Sequence, residues 1–378
     1  MGRGLISPQD QAPPRGRSSS APSAGPAFNA LTPGDPLPRF FQRDGRQRRF
    51  AWDSMAGRYL LYCTVMTTAD PLGRSAVEAI AREGARFDDV FAGVFAVMTE
   101  PGDALGPHRL PDPEAIVCRT LGALPQGGLP EGRPDQPRRA WILIDPSLHV
   151  LAVVPFNAED PEHRAVFQLM DGLPPPDRFG GIAVPPPVLV LPNVLGPDLR
   201  SRLIDLHQAS GAAESDVILD NVRVVDAAFK RRTDCAITDQ ALVGGVAERL
   251  FRCITPEVRK LFFMQLNHFD RPIVACYGAD NGGHYQPHRD NGLGPTAHRR
   301  FAVSVNLNED FEGGELFFPE YGGAKVKAPA GWAVVFPCAI LHGVAPVTGG
   351  RRYAFLPFMF DDEGARMKAA NAAAPAAP

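Results

Sequence analysis

Two short runs of proline near the middle of the chain place the strongest limit on how it can fold. Residues 174–176 and 185–187 are all proline, and they bracket the segment 177–181, which contains two glycines. Proline has no backbone N–H donor, so a segment of this composition cannot lie inside a sheet or a helix. We therefore interpret residues 173–187 as a linker between two separately folded parts.

This division leaves two segments, 32–172 and 188–362, that are each long enough to fold around a core of their own. The chain has 378 residues, of which 44% are apolar, and this content supports two domains. Residues 1–31 are rich in proline, serine, glycine and arginine without an apolar run, which predicts a disordered tail and no signal peptide. Residues 363–378 end in an alanine and proline tract, and we interpret them as a second tail.

Charge and cysteine usage narrow the classes of function. The net charge of −3 is too small to favour nucleic acid or an anionic membrane as a partner. No apolar run is long enough for a spanning helix. The six cysteines lack any CxxC pair and lie within apolar runs, which favours buried, reduced thiols and a cytoplasmic location.

The first segment alternates apolar strands with a helical pattern. Residues 59–65, 94–97 and 141–144 have the composition of buried strands. Residues 75–91 carry apolar side chains at helical spacing between the first two. Strand–helix–strand order predicts an α/β sheet.

The amino-acid sequence of this segment resembles that of a thioredoxin-like domain of the peroxiredoxin type. Residues 34–38 (GDPLP) are similar to the opening of that family, and residues 139–145 (RAWILID) are similar to one of its later strands. The resemblance implies a Thr-x-x-Cys loop, but this chain has Asp70 at the cysteine position. Peroxide reduction needs a thiolate, so we expect a thioredoxin-like domain without the attacking thiol, with Cys63 in its core.

The second segment begins with helices and ends in strands. Residues 196–198 (GPD) are typical of a helix start, and a second helical pattern covers about 239–253. Apolar and polar residues then alternate over 301–307, and further strands are predicted at 331–336 and 353–360. Helices followed by an antiparallel β core favour a double-stranded β-helix, the jelly-roll fold, with flanking helices.

A histidine and a carboxylate one residue apart stand out in the second segment. On a strand, His288 and Asp290 face the same way and can bind one ion together. His342 follows after a turn-rich stretch, as expected for a third ligand from a distant strand. Imidazole and carboxylate without cysteine suit Fe(II) better than structural zinc.

The whole of residues 188–361 resembles the prolyl 4-hydroxylase-like branch of the Fe(II)/2-oxoglutarate-dependent dioxygenases. The ordered motifs that carry the resemblance are Tyr277, His288, Asp290, Asn306, the run 313–316 (GGEL), His342 and Arg352. The resemblance implies that His288, Asp290 and His342 hold Fe(II) at the catalytic centre. It implies that Arg352 pairs with the far carboxylate of 2-oxoglutarate, for which a guanidinium is well shaped, and that Tyr277 donates a hydroxyl to the same cosubstrate.

The implied reaction hydroxylates a C–H bond of a prolyl or other residue in a protein or peptide. It consumes 2-oxoglutarate and O2 and releases succinate and CO2. Hydroxylation of a free amino acid or another small molecule stays open, as do a thiol-dependent peroxidase and a binding module with a relic site. The sequence does not determine which substrate is hydroxylated, what the oligomeric state is, or whether ascorbate is needed.

Four further positions near the motifs have weaker assignments. His284 lies in a glycine-rich loop, which argues against a role as a ligand. Arg351 is expected to face away from Arg352 toward the surface. The run 298–300 (HRR) is expected to be solvated, with a lid over the substrate as the alternative, and Arg232 is suggested to lie near the pocket.

Overall fold

The computed structural model describes residues 28–43, 49–100, 106–126, 137–219, 222–292 and 294–373. Most of the predicted N-terminal tail and residues 374–378 lie outside this range.

The described part of the first segment contains a mixed five-stranded sheet with helices along it, and a separate two-stranded sheet formed by its first two strands. Its strands and helices are β1 (Phe41–Arg43), β2 (Arg49–Ala51), β3 (Tyr59–Met66), α1 (Pro71–Arg82), β4 (Ala92–Met98), β5 (Arg109–Pro111), α2 (Ile116–Thr120), β6 (Ala140–Ile144), β7 (Val150–Pro155) and α3 (Arg164–Asp171). The strand order is β5-β4-β3-β6-β7, in which β3 is parallel to β4 and antiparallel to β6.

Each face of this sheet covers a separate apolar cluster. Along β3, Leu61 and Cys63 pack on one face with α1 and α3, whereas Leu60 and Tyr62 pack on the other with Trp52. This alternation is the period-two pattern of a strand that is buried on both sides.

The second segment contains two antiparallel sheets and three helices among its described residues. Its elements are β8 (Leu189–Leu191), α4 (Pro197–Ala209), β9 (Ala213–Glu214), β10 (Val217–Leu219), β11 (Val222–Val224), β12 (Lys230–Arg231), β13 (Thr233–Ala236), α5 (Gln240–Phe262), β14 (His268–Asp270), β15 (Ile273–Gly278), β16 (His284–His288), β17 (Phe301–Asn306), β18 (Phe311–Gly313), β19 (Leu316–Phe318), β20 (Ala324–Val326), β21 (Ala333–Pro337), β22 (His342–Val344), β23 (Val347–Phe355), β24 (Phe358–Phe360) and α6 (Asp362–Ala373). The small β10–β11 hairpin pairs separately from both.

The two larger sheets face each other, as a jelly roll requires. The major sheet contains β15, β17, β23 and β24, and the minor sheet has the order β12-β16-β22-β19-β20. Ala302 of β17 lies between the sheets with Phe318 of β19. Its neighbours Val303 and Val305 belong to the cluster formed with α4 and α5. The predicted alternation over 301–307 therefore holds, and it separates the inner face, where the site lies, from the helices.

Two helices have bounds that differ from the prediction. The first was expected over 75–91, but α1 begins at Pro71 because the Asp70 side chain accepts a hydrogen bond from Gly73 N at 2.9 Å. The second was expected to end near 253, but α5 continues through Pro256 to Phe262. Ile254 and Val258 extend its buried face, and this packing outweighs the cost of an interior proline.

The predicted tail 363–378 is wrong for the residues that the structure describes there, because 362–373 form the helix α6. Asp362 and Glu363 in its first turn complement the helix dipole. Lys368 Nζ lies 2.8 Å from Asp270 Oδ2 and fastens the helix to the body of the fold. An alanine-rich segment has high helix propensity once such contacts are present.

Two expectations from composition can be compared directly with the structure. All six cysteines are free, and all but Cys253 are buried. In the described part of the chain, no helix combines the length and the apolar character needed to cross a membrane.

Candidate metal centre

The two histidines and the aspartate of the motif meet on the minor sheet. His288 is the last residue of β16, His342 is the first of β22, and the two are direct cross-strand partners. Their Nε2 atoms lie 3.5 Å and 3.2 Å from the two carboxylate oxygens of Asp290. One ligand atom from each residue can be chosen so that all three lie within 4.8 Å of one another, a spacing at which they could hold one ion.

Backbone carbonyls determine which nitrogen of each ring faces the cluster. Nδ1 of His288 lies 2.8 Å from Gln286 O, and Nδ1 of His342 lies 3.0 Å from Ile340 O. Because a carbonyl oxygen only accepts, each Nδ1 carries the proton and each Nε2 keeps its lone pair. Both rings are thus held in the tautomer that binds a metal through Nε2.

The ionisation states of the cluster also suit a cation. The pKa of His288 is lowered to about 4, mainly by burial and secondly by the neighbouring His342. This imidazole is therefore neutral at neutral pH. Burial opposes ionisation of Asp290, but electrostatic attraction to the adjacent imidazoles, that of His342 first, holds its pKa well below the usual range. A neutral imidazole beside an ionised carboxylate is the state needed for metal binding.

Arg352 is a buried cation with a free donor close to this cluster. Its side chain is 2% exposed. Its Nε donates to Asn306 Oδ1 and its Nη2 donates to Ser304 Oγ, both at 2.9 Å. Its Nη1 is buried without a hydrogen-bond partner among the described residues. A buried unpaired guanidinium donor is costly, and a carboxylate ligand would satisfy it.

One narrow cavity joins Arg352 to the metal-binding cluster, and Tyr277 and Arg232 line it as well. Tyr277 is the cross-strand partner of Arg352. The hydroxyl of Tyr277 accepts a hydrogen bond from Arg232 Nη1 at 2.7 Å. Arg232 Nε in turn lies 2.9 Å from Asp234 Oδ1. Arg232, only suggested by the sequence, is therefore a buried member of the cavity.

The glycines of the GGEL motif explain how β18 approaches Arg352. Gly313 and Gly314 both have left-handed backbone conformations, with φ of +69° and +67°. A Cβ on Gly313 would lie 2.2 Å from Pro346 O. A Cβ on Gly314 would lie 3.0 Å from Arg352 Cδ. Glycine is required at both positions for conformation and for space.

A larger cavity of about 600 Å³ opens onto His288 and Asp290 from the other side. The second segment contributes Lys230, Arg271 and Arg299 to its lining. The first segment contributes Arg39 before β1, one residue each of β1 and β2, and Asp53 and Ser54 of the short 3₁₀ helix that follows β2. The sequence contained no signal for this contribution, because these residues are more than 200 positions from the ligands.

Of the residues near the motifs, Arg351 and His284 lie as the sequence predicted, whereas His298 does not. Arg351 is exposed and pairs with Asp280 at 2.9 Å, on the side away from Arg352, as predicted. His284 is bonded to backbone carbonyls and does not join the metal-binding group. His298 was expected to be solvated or part of a lid; it is instead 2% exposed, with Nε2 2.7 Å from Asp270 Oδ2. The carboxylate of Asp270, itself half-buried, is what allows this histidine to leave solvent.

A jelly roll that brings two imidazoles and one carboxylate together defines a class, the non-haem iron oxygenases. Comparison with known proteins agrees with this class. Residues 272–360 match the family model of the 2OG-Fe(II) oxygenase superfamily. The chain is 33% identical over 181 residues to a PKHD-type hydroxylase from Polaromonas sp., covering 44% of this chain and 75% of that protein. The chain belongs to the 2OG-Fe(II) oxygenase superfamily and is a 2-oxoglutarate-dependent dioxygenase that uses Fe(II), 2-oxoglutarate and O2.

Other similarities are shorter or more distant. The PKHD-type hydroxylase PiuC of Pseudomonas aeruginosa is 39% identical over 92 residues, which span 22% of this chain and 40% of that protein. The crystal structure of a Pseudomonas putida prolyl-4-hydroxylase is 18% identical, with a TM-score of 0.37, covering 49% of this chain and 95% of that one. A Trichoplax adhaerens prolyl hydroxylase, solved with a peptide fragment of hypoxia inducible factor, is 19% identical, with a TM-score of 0.38 and coverage of 54% and 96%.

Proposed function

We propose that this enzyme hydroxylates a C–H bond of a prolyl or other residue in a protein or peptide and releases succinate and CO2. The observation that carries the proposal is one cavity that joins a three-ligand cluster to an unpaired buried guanidinium donor. When bound there, Fe(II) with 2-oxoglutarate and O2 supplies the oxidising chemistry that hydroxylation requires.

In this proposal each residue of the cavity has one task. His288, Asp290 and His342 hold the iron through two Nε2 atoms and a carboxylate, and they leave coordination positions for the cosubstrate. Arg352 binds the far carboxylate of 2-oxoglutarate with its free Nη1 and so orients the molecule. Tyr277 contributes its hydroxyl to the same cosubstrate, in an orientation held by Arg232.

The larger cavity is the proposed substrate site. It opens directly onto His288 and Asp290, and its volume of about 600 Å³ lies in the range of sites for drug-sized ligands. A single prolyl side chain would fill only part of it, which favours a residue carried in a peptide segment. The name PKHD-type hydroxylase of the relatives agrees with a hydroxylation reaction. A free amino acid or another small molecule is the alternative.

The test is formation of succinate by the purified, iron-loaded enzyme with 2-oxoglutarate and two libraries, one of peptides and one of amino acids and metabolites. We expect proline-containing peptides to raise succinate release above the level without substrate, and mass spectrometry to find a product heavier by one oxygen atom. Stimulation by free metabolites alone would move the substrate to the alternative class. Stimulation that persists after iron is removed would contradict the proposed chemistry.

Substitution of Gly314 tests the position of Arg352 without touching a ligand. Gly314→Ala is expected to raise the KM for 2-oxoglutarate roughly 10-fold, since displacement of a binding group by a fraction of an ångström is enough for such a loss. Its Cβ would press on Arg352 Cδ. Gly323→Ala is the matched control, because Gly323 has the same φ of +67° but nothing within 4 Å of a Cβ. Equal KM values in both variants would contradict this role of Gly314.

We further propose that residues 32–172 form a thioredoxin-like domain, that 173–187 are a linker and that 188–362 are the dioxygenase domain. The strand order β4-β3-β6-β7, with a parallel pair joined by α1 and a hairpin followed by α3, supports the first assignment. A thiol peroxidase is not favoured. Asp70 caps α1 and binds Arg139 through both carboxylate oxygens. Cys63 is completely buried, and burial raises its pKa well above the usual value.

A further inference from the structure

We propose that the N-terminal domain positions the metal-binding residues, through Asp53 and through a hydrophobic contact around Leu341. This inference rests on the proposed metal site and goes beyond it, because it assigns to the first domain a task inside the dioxygenase centre. Four groups of contacts support it, and three of them involve residues next to the proposed ligands.

The first contact involves Arg289, which stands between the ligands His288 and Asp290. Its side chain is only 10% exposed. Its Nε donates to Asp53 Oδ2 of the N-terminal domain at 2.8 Å. Asp53 is itself buried, and it also accepts from Arg39 Nε at 2.8 Å. A carboxylate of the first domain therefore holds Arg289, the residue that stands between the two ligands, in place.

The second contact joins this residue to the segment of the third ligand. Arg289 Nη2 donates to Glu320 Oε1 at 2.7 Å, and its Nη1 donates to the carbonyl oxygen of Ala339. Glu320 Oε2 accepts from the backbone N–H of Leu341 at 2.8 Å. Leu341 immediately precedes His342. One guanidinium and one carboxylate thus tie together the two segments that carry the ligands.

The third contact is apolar and comes from the same segment. The side chain of Leu341 is 1% exposed and packs in the core cluster of the N-terminal domain, with Trp52 and Tyr62. The backbone of Leu341 is therefore held by Glu320 on one side while its side chain is held by the first domain. Packing of this kind restrains the position of the adjoining His342.

The fourth contact shows how closely the domains approach at this point. Gly57, with φ of +93°, lies against Pro319, the residue before Glu320, and a Cβ at Gly57 would be 2.8 Å from Pro319 Cβ. No side chain larger than hydrogen fits there without movement. The clamp, defined as Asp53, Arg289, Glu320 and Leu341, therefore lies in a tightly packed junction of the two domains.

Such a clamp should act on metal affinity more than on the chemical step. Groups that hold ligands in place typically change metal affinity by about 10-fold or more when they are removed. Asp53, Arg289 and Leu341 also line the proposed substrate cavity. Metal binding is therefore measured without substrate, so that the clamp residues act on it only by positioning the ligands. Loss of Asp53 removes the hydrogen bond of Arg289 to the first domain and leaves Arg289 with Glu320 and the carbonyl oxygen of Ala339, so that the loop from His288 to Asp290 gains freedom.

The experiment measures binding of Mn(II) to the full-length apoprotein by the loss of the electron paramagnetic resonance signal of free Mn(II). We expect Asp53→Asn and Glu320→Gln each to weaken Mn(II) binding by about 10-fold. The matched control is Asp70→Asn, which breaks another carboxylate–arginine pair of the same domain, with Arg139, and touches no residue of the clamp. It should retain the parent affinity. Circular dichroism of every variant checks folding.

A double-mutant cycle decides whether Asp53 acts through Arg289. If it does, adding Asp53→Asn to Arg289→Gln should produce little further loss of Mn(II) affinity, whereas independent effects would add. His342→Ala separates failure of this inference from failure of the metal site. Parent affinity in His342→Ala would mean that the metal site is wrong. Lost affinity in His342→Ala with parent affinity in Asp53→Asn and Glu320→Gln would overturn the clamp alone.

Discussion

His342→Ala is expected to abolish iron binding and turnover of 2-oxoglutarate, with a loss of at least about 100-fold in each. The variant removes one of two Nε2 donors and leaves Asp290 with a single imidazole neighbour. Even groups that only support a metal ligand are worth about 10- to 100-fold in affinity or activity, so a ligand itself should be worth more. Iron content of the reconstituted protein and the rate of succinate formation are the two measurements.

His284 offers a matched control for this substitution. It is also a histidine of β16, but both of its ring nitrogens face backbone carbonyls, at 2.8 Å and 3.1 Å. His284→Ala should therefore keep the iron content of the parent. If His342→Ala turned over 2-oxoglutarate at the parent rate, the iron would have to be bound elsewhere in the chain.

Arg352→Gln is the second substitution with a large expected effect. We expect the KM for 2-oxoglutarate to rise by about 30-fold or more, because removal of one partner from a buried charge pair costs at least about 2 kcal/mol. Iron affinity should change little, since Arg352 touches none of the three proposed ligands. Initial rates of succinate formation over a range of 2-oxoglutarate concentrations measure the first quantity, and iron titration measures the second.

The adjacent residue is the natural control for Arg352. Arg351 has the same side chain but lies on the opposite face of β23 and pairs with Asp280 in solvent. Arg351→Gln should leave the KM near the parent value. A KM that rises equally in both variants would show that the charge of this strand, and not the buried guanidinium, attracts the cosubstrate.

Much of the dioxygenase domain could be predicted from local patterns. The alternation over 301–307 places Ser304 and Asn306 on the inner face, where they hold Arg352. The spacing of His288 and Asp290 predicted that both bind one ion from a single strand; the structure places His288 at the end of β16 and Asp290 two residues beyond it. Family membership is confirmed for this half of the chain. The roles of the site residues and the thioredoxin-like assignment of the first half remain predictions.

Predictions failed where packing outweighed local composition. The helix α5 continues past Pro256 because its buried face continues, and α6 forms in an alanine-rich segment because Asp270 and the neighbouring loop hold it. His298 is buried because the half-buried carboxylate of Asp270 pairs with it. In each case the partner lies far away in sequence, so that no local pattern could reveal it.

The sequence by itself determined which residue types could hold a metal, and on which face of β17 Ser304 and Asn306 lie, because strand periodicity is a local property of the chain. Only the tertiary structure decided what surrounds them. Asp53 lies 236 positions from Arg289, and Arg232 lies 45 positions from Tyr277. Arg232 immediately precedes β13, and the pairing of β13 with β15 sets Thr233 opposite Cys276, so that Arg232 comes opposite Tyr277. Asp53 and Arg289 share no strand register or motif, and their contact arises because two domains are packed together, which depends on the shape of the whole fold.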